Sequence, residues 1–173
     1  EVKLPMAYRI KEIFRSLQGE GMNAGRPAVF LRFSGCNLWS GRAEDRPSIP
    51  CPFCDTDFVG TDGEGGGKFG GPDALADAVQ AAWTGGPSDR LVVITGGEPL
   101  LQLDWPLIEA LHARGFSVAV ESNGTQVPPP GIDWLCVSPK AGAPVAARSG
   151  QELKLVYPQA GVDPDAFAGW DFE

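Results

Sequence analysis

The cysteines are the residues of this chain with the most evident capacity for chemistry. Three of them follow the pattern Cys36-x14-Cys51-x2-Cys54, while Cys136 lies alone in an apolar segment. Structural zinc needs four closed ligands, and only Cys136 and the single histidine, His112, could supply the fourth. An isolated cysteine among apolar residues is typical of a small core residue, so zinc is the weaker interpretation. Three thiolates instead suit a [4Fe–4S] cluster with one open iron, because a closed cluster takes four.

A second candidate site is the sequence Thr95-Gly96-Gly97-Glu98-Pro99, which follows a short apolar run. Glycines at such a position allow a ligand to come close to backbone N–H and C=O groups. The Glu98 carboxylate could accept hydrogen bonds from an ammonium group. The alternative is a plain Gly-Gly turn before a helix start, since Gly and Pro commonly mark turns.

These residues need a scaffold, and the apolar pattern predicts alternating strands and helices. Strands are predicted at Pro27–Phe33, 91–94, 116–120, Trp134–Val137 and 153–157. Helices are predicted after Pro72-Asp73, from Leu75, Val79 and Ala82, and around Leu107, Ile108 and Leu111, with Gly115 ending the second. Residues 60–71 hold seven glycines and are predicted to form a loop. The alternation indicates parallel βα units, which bind ligands at the carboxyl ends of their strands.

The composition excludes several classes of protein. A length of 173 residues and a hydrophobic content of 43% suit one globular domain. The net charge of −8 argues against broad binding to nucleic acid or anionic lipid. No apolar run approaches the roughly 20 residues that span a bilayer, and residues 1–12 lack the apolar stretch of a signal peptide. We therefore expect a single-domain cytoplasmic enzyme that acts on a small molecule.

The cysteine triad and the Gly-Gly-Glu stretch together resemble the radical S-adenosylmethionine superfamily. Further segments resemble its 7-carboxy-7-deazaguanine synthases: EIFRSLQGEG (12–21), GRPAVFLR (25–32), GCNLW (35–39), CDT (54–56), ESNG (121–124) and SPK (138–140). The resemblance extends from about Ile10 to Tyr157. It includes the gap between the first two cysteines, which occurs in a subgroup of this family although a shorter gap is usual in the superfamily. The fold it implies is α/β, a reduced, open (β/α) partial barrel with parallel strands.

The activity that the resemblance implies is that of a lyase. In the family, the reduced cluster cleaves S-adenosylmethionine, and the resulting radical takes a hydrogen atom from 6-carboxy-5,6,7,8-tetrahydropterin. The product is 7-carboxy-7-deazaguanine, formed with loss of ammonia and used in queuosine and 7-deazapurine biosynthesis. The implied cofactors are a [4Fe–4S] cluster, S-adenosylmethionine and Mg²⁺. A homodimer and an external electron donor such as a flavodoxin are implied as well.

The resemblance also assigns roles to individual residues. It places the cluster on Cys36, Cys51 and Cys54, and Mg²⁺ on Thr56. It implies substrate contacts for Leu17, Gln18, Gly19, Glu20, Arg32 and Thr95. It implies cofactor contacts for Phe53, Asp55, Gly97, Glu98, Glu121, Asn123, Ser138 and Lys140. By residue type alone, the Arg32 guanidinium in an apolar strand suits a carboxylate, whereas Thr56 is more typical of a turn or a helix cap.

Two other functions are open from the residues alone. A radical-activating enzyme that acts on a protein partner would have the shorter cysteine spacing and would lack Leu17-Gln18-Gly19-Glu20-Gly21. A non-catalytic iron–sulfur or zinc protein would not need Gly96-Gly97-Glu98. Family members continue beyond the position of Glu173, so we also expect that a C-terminal part, which completes the cofactor pocket and the substrate lid, is absent from this chain.

Overall fold

The computed structural model describes residues 7–173, in which a seven-stranded sheet is the main element. Residues 1–6 lie outside the described residues. They belong to the segment for which the sequence predicts no signal peptide. The strands are β1 (Tyr8–Leu17), β2 (Pro27–Phe33), β3 (Gly67–Phe69), β4 (Arg90–Gly96), β5 (Phe116–Ser122), β6 (Trp134–Val137), β7 (Ser149–Gly150), β8 (Glu152–Leu153) and β9 (Asp171–Phe172). The α-helices are α1 (Pro72–Ala82) and α2 (Trp105–Ala113), and short 3₁₀ segments cover Ala43–Ser48, Pro99–Leu101 and Pro164–Phe167.

The strand order of the sheet is β3-β1-β2-β4-β5-β6-β8, and β7 pairs separately with β9. β2, β4, β5, β6 and β8 run parallel, whereas β1 pairs antiparallel with β2 and β3. The short connection from β1 to β2 returns the chain antiparallel, and the longer connections through α1 and α2 return it parallel. The sheet of residues 7–173 does not close into a barrel. The predicted α/β fold, an open partial barrel, is confirmed, with an added antiparallel edge.

Both predicted helices are present, and the local sequence explains where they begin and end. α1 begins at Pro72 with Asp73 in its first turn, a position that favours proline and negative charge. At the start of α2 the Asp104 carboxylate accepts a hydrogen bond from the Leu107 N–H group at 3.2 Å. Gly115 follows α2 with a φ of 77°, which glycine adopts without strain. No helix in residues 7–173 is long and apolar enough to cross a membrane.

The main core lies between the helices and one face of the sheet. Leu75 and Val79 of α1 and Leu107 and Leu111 of α2 are fully buried there. The opposite face has a smaller buried cluster of mainly small side chains: Ala28, Leu91, Val93 and Ala119. Burying a large aliphatic side chain contributes roughly 1.5–3 kcal/mol, so the helix side supplies most of the apolar stabilisation. The helices thereby fix the parallel strands whose ends build the site.

Five strands differ from the sequence prediction, and two of them are the unpredicted short strands β7 and β9. No strand is predicted at β1, and β3 lies inside the predicted loop of residues 60–71. The strand predicted at 153–157 is wrong, because β8 covers only Glu152–Leu153. β8 has a partner only where it pairs with Cys136 and Val137 of β6. Beyond that point the chain leaves the sheet, and Lys154 turns toward the cavity described below.

Candidate active site

A cavity of about 840 Å³ lies at the carboxyl ends of the parallel strands. All but two of the residues predicted to bind ligands line this cavity: Gln18, Gly19, Glu20, Arg32, Cys36, Cys51, Phe53, Cys54, Asp55, Thr56, Thr95, Gly97, Glu121, Asn123, Ser138 and Lys140. The exceptions are Leu17, which is 61% exposed at the end of β1, and Glu98, which is buried behind the cavity wall. The structure therefore brings together segments that are far apart in sequence, as parallel strands do at their carboxyl edge.

The three cysteines predicted to hold a cluster carry free thiols and face this one cavity. Burial raises the pKa of the Cys36 and Cys51 thiols, and the neighbouring Cys54 raises both further. A bound metal has the opposite effect and favours the ionised thiolate form, because thiolates are the ligands of metals. Within residues 7–173 no three His, Cys, Asp or Glu side chains are placed to hold a single metal ion. A cluster offers separate irons to separate thiolates, and the role of these three cysteines as its ligands stays a prediction.

An arginine in the segment between the first two cysteines holds the cysteine loop in place. The Arg46 Nη1 group donates to the carbonyl oxygens of Pro52 at 2.8 Å and of Cys54 at 2.7 Å. Its guanidinium lies 4.4 Å from the centre of the Trp39 ring, a cation–π contact. The turn is closed by a hydrogen bond of 3.0 Å from the Cys54 N–H group to the Cys51 carbonyl oxygen. The 14 residues between Cys36 and Cys51 thus fold back onto the ligand loop.

The Gly96-Gly97 pair packs the end of β4 against the loop that carries Cys36. A Cβ atom on Gly97 would lie 2.3 Å from the Gly35 carbonyl oxygen and 2.7 Å from Cys36 Cβ. Gly96 has a φ of 145°, and its Cβ would lie 2.4 Å from the Phe33 carbonyl oxygen. A larger residue at Gly96 would displace the end of β2, and one at Gly97 would displace the cysteine loop. The glycines therefore do more here than form a turn.

Glu98 joins the ends of two strands. Its carboxylate accepts hydrogen bonds from the Leu100 N–H group at 3.0 Å and the Ser122 hydroxyl at 2.9 Å. The Asn123 N–H group donates to its other oxygen at 2.7 Å. Burial raises the pKa of Glu98, and these three hydrogen bonds offset part of that increase. The carboxylate thus ties β4 to β5, and its contact with a cofactor ammonium group stays a prediction.

On another wall of the cavity the carboxylates of Glu20 and Glu121 bind the same lysine. Gln18 Nε2 donates to Glu121 Oε1 at 3.0 Å. The Lys154 ammonium group donates to Glu121 Oε2 at 2.5 Å and to Glu20 Oε2 at 2.7 Å. Burial alone would lower the pKa of Lys154, but its bonds to the two glutamates outweigh burial and raise it. The residues predicted to hold substrate and those predicted to hold cofactor are therefore in direct contact.

Two further cationic side chains face the cavity. Arg32 Nε donates to Glu12 Oε1 at 2.7 Å, and both side chains are largely buried. Lys140 Nζ donates to the carbonyl oxygen of Ser138 at 2.8 Å and to its hydroxyl at 2.7 Å. Burial lowers the pKa of Lys140. Cationic donors beside carboxylate acceptors suit ligands that carry carboxylate and amino groups.

Comparison with known proteins identifies the family. No family model matches the chain. The curated 7-carboxy-7-deazaguanine synthase of Caulobacter vibrioides is 67% identical over 168 residues, which are 97% of this chain and 80% of that protein. The chain belongs to the 7-carboxy-7-deazaguanine synthase family. The synthase of Bordetella pertussis is 64% identical with the same coverage. The crystal structure of QueE from Escherichia coli superposes with a TM-score of 0.62 at 31% identity, covering 86% of this chain and 71% of that one.

Membership in the 7-carboxy-7-deazaguanine synthase family confirms the radical S-adenosylmethionine class and the role in queuosine biosynthesis that the motifs predict. The residues that line or support the cavity without being among the predicted ones include Glu12, Arg46, Cys136 and Lys154. For Lys154 a signal exists, because a lysine between leucines is unusual in a core strand. For Arg46 the sequence contains no such signal, since its hydrogen-bond partners are backbone carbonyl groups. Cys136 is buried, as predicted, but it also lines the cavity.

Replacing Arg46 is expected to weaken cluster retention in this synthase-family chain. Arg46→Met removes two charge-assisted hydrogen bonds to the ligand loop, which are worth about 1.5–3 kcal/mol each. We expect a chelator to remove iron from the reconstituted protein at least about tenfold faster, as followed by the visible absorbance of the cluster. Arg42→Met is the matched control, because Arg42 is an exposed arginine of the same segment. Equal rates of iron loss in the two variants would contradict a holding role for Arg46.

Replacing Glu98 is expected to reduce stability even without a cofactor. In Glu98→Gln an amide NH₂ group replaces the oxygen that faces the Asn123 N–H group, so two donors oppose each other. The expected loss is about 1–3 kcal/mol in the free energy of unfolding, measured by urea denaturation of the cluster-free protein. Glu109→Gln on the exposed face of α2 is the control and is expected to change little. A Glu98→Gln variant as stable as this control would show that the buried hydrogen bonds contribute nothing.

Proposed function

We propose that this chain converts 6-carboxy-5,6,7,8-tetrahydropterin to 7-carboxy-7-deazaguanine, with loss of ammonia, in the cavity at the carboxyl ends of its parallel strands. One observation carries the proposal: the three free cysteines and the polar residues that follow the strands line a single cavity. The cysteines suit a [4Fe–4S] cluster, and the remaining walls offer donors and acceptors for two organic ligands. A purely structural metal site would leave these other groups without a use.

The cluster would be held by Cys36, Cys51 and Cys54. When bound, it supplies one-electron reduction of S-adenosylmethionine. Gly97 packs against the cysteine loop and would present its backbone groups to the cofactor at the cavity wall. Phe53 and Asp55 flank Cys54 at the same wall. Thr56 lines the same wall and would offer a hydroxyl oxygen to Mg²⁺, a cation that prefers oxygen ligands.

The strand ends would hold the organic part of S-adenosylmethionine. Glu121 would accept hydrogen bonds from ribose hydroxyl groups, and Asn123 lies two residues further along the same wall. Lys140, oriented by Ser138, is a cationic donor for a carboxylate. Glu98 would act from behind this wall by fixing Asn123. The protein's task is to place the reactive carbon against one C–H bond and to exclude other reactions.

The substrate would lie beside β1 and β2. The Nε atom of Arg32 is bonded to Glu12, so the terminal nitrogens of its guanidinium would bind the substrate carboxylate. Gln18, Gly19 and Glu20 form the adjoining wall, where Glu20 would accept from the pterin ring. Thr95 lines the cavity at the end of β4 and would contact the substrate. Leu17 would contribute only backbone groups, because its side chain points to solvent.

The partners that go with this function are part of the proposal. The reaction needs a reductant, and a small electron-transfer protein such as a flavodoxin would supply it. We also propose a homodimeric, cytoplasmic enzyme whose residues 7–173 form one domain. The net charge of −8 gives no broad attraction to nucleic acid.

The experiment that tests the function is anaerobic reconstitution with iron and sulfide, followed by reduction and incubation with S-adenosylmethionine and 6-carboxytetrahydropterin. Mass spectrometry should detect 7-carboxy-7-deazaguanine and 5′-deoxyadenosine. Release of 5′-deoxyadenosine without the deazaguanine would exclude this substrate and keep the enzyme class. Stoichiometric zinc without any cluster would exclude both.

A further inference from the structure

The β1–β2 loop (residues 18–26) carries part of the proposed substrate site but makes few hydrogen bonds to the rest of the protein. Its backbone hydrogen bonds join loop residues to one another. Among the hydrogen bonds of residues 7–173, two connect the loop to other elements. They are the bond of 3.0 Å from Gln18 to Glu121 and the bond of 2.7 Å from Lys154 to Glu20. Besides packing, such as that of Gly21 against the Glu152 side chain, the loop is therefore held to the sheet by Glu121 and Lys154.

Lys154 holds both of these contacts together. Its ammonium group lies between Glu20 of the loop and Glu121 at the end of β5, at 2.7 and 2.5 Å. The Lys154 side chain is 29% exposed and that of Glu121 is 23% exposed, so water screens the pair only in part. Without the ammonium group, two carboxylates would approach each other, and like charges at this distance repel. The loop would then move away from the strand end.

We propose that Lys154 is a positioning residue that couples the substrate-binding loop to the cofactor-binding end of β5. The inference rests on the proposed function, because it takes Glu20 as a substrate contact and Glu121 as a cofactor contact. The ammonium group acts through the two carboxylates and touches neither reacting atom. It keeps the pterin at a fixed distance from S-adenosylmethionine, which a radical transfer of one hydrogen atom requires.

The test compares the reconstituted wild type with Lys154→Met, which keeps the length of the side chain and removes its charge. The first readout is the dissociation constant of 6-carboxytetrahydropterin without S-adenosylmethionine, so that no turnover occurs. The loss of two charge-assisted hydrogen bonds should weaken binding roughly tenfold or more. The second readout is the ratio of 5′-deoxyadenosine to deazaguanine, which should rise because cleavage then runs without a correctly placed substrate. Lys154→Arg keeps the charge and should recover most of both values.

Lys68→Met is the matched control, since Lys68 is an exposed lysine on the edge strand β3. It should bind the pterin and turn it over as the wild type does. Wild-type affinity and an unchanged product ratio in Lys154→Met, with equal iron content and unfolding midpoint, would overturn the inference alone. Absence of pterin binding to the wild type would instead overturn the proposed function, and the inference with it. If Lys154→Met does not fold, Lys154→Arg is compared with Glu20→Gln instead. Lys154→Arg should bind the pterin more tightly than Glu20→Gln, and equal or weaker binding would overturn the inference.

Discussion

Cys51→Ala is expected to abolish the cluster and, with it, formation of 7-carboxy-7-deazaguanine. Three thiolates are the minimum for a cluster with one open iron, and Cys51 is a buried member of the triad. Removing a group that contacts only the metal ligands changes metal affinity by about 10–100-fold. Removing a ligand itself should lower the cluster content, and with it turnover, by a larger factor. The measurements are iron and sulfide content after reconstitution and product formation by mass spectrometry.

Cys136→Ala is the matched control for this experiment. Cys136 lines the same cavity and is equally buried, and burial raises the pKa of its thiol to about 12. The charges that act on this thiol are those of Lys154 and nearby glutamates, whereas Cys36 and Cys51 are each affected by other cysteines of the triad. Because Cys136 is also absent from the sequence motif, it should not bind iron. The variant is expected to keep its cluster. Loss of iron from Cys136→Ala would mean that the cluster has four thiolate ligands, which would leave no open iron for S-adenosylmethionine.

Gly97→Ala is expected to damage the site through backbone displacement rather than through loss of a ligand. The added methyl group would lie 2.3 Å from the Gly35 carbonyl oxygen and 2.7 Å from Cys36 Cβ. Both atoms belong to the cysteine loop and cannot rotate away, so the loop itself must shift. Overpacking of this kind costs about 1–3 kcal/mol, and a shift of about 1 Å in a reacting group lowers rates by about a hundredfold.

The control for this variant is Gly70→Ala, because nothing lies within 4 Å of a Cβ atom at that position. Urea denaturation gives the change in stability, and single-turnover formation of 5′-deoxyadenosine gives the change in rate. Gly97→Ala should be impaired in both measurements, whereas Gly70→Ala should be impaired in neither. Wild-type rates in Gly97→Ala would show that the loop can absorb the methyl group and that the close packing is not needed for chemistry.

The parts of the fold that depend on local pattern were predictable from the sequence. α1 and α2 have apolar side chains at helical spacing and recognisable first and last turns, so both helices match the prediction. β2, β4, β5 and β6 are apolar runs long enough to be recognised. β1 is harder to predict because charged residues alternate with its buried ones, and β3 has only three residues within a glycine-rich segment. The end of β8 depends on its partner β6, which local sequence does not show.

The composition of the site was predictable from motifs, but the way its residues are held was not. Glu98 has the residue type of a ligand for an ammonium group, yet its oxygens bond to Ser122 and Asn123, more than 20 positions away. Arg46 acts on carbonyl groups, which every residue has, so its partners leave no mark in the sequence. Lys154 becomes a link between carboxylates only when the β1–β2 loop folds over the strand ends. Such contacts depend on three-dimensional packing, which periodicity and spacing do not encode.

The Arg46 contacts have a consequence for how such sites vary in evolution. Arg46 binds the carbonyl groups of Pro52 and Cys54 from within the inserted segment, so the insertion is anchored to the ligand loop at its own far end. Arg46 also lies over the ring of Trp39, three residues after Cys36, so its contacts link the two ends of the segment. Insertions and deletions before Arg46 should therefore be tolerated as long as the anchor is kept. A sequence search that requires the short cysteine spacing would therefore miss proteins that carry such an insertion.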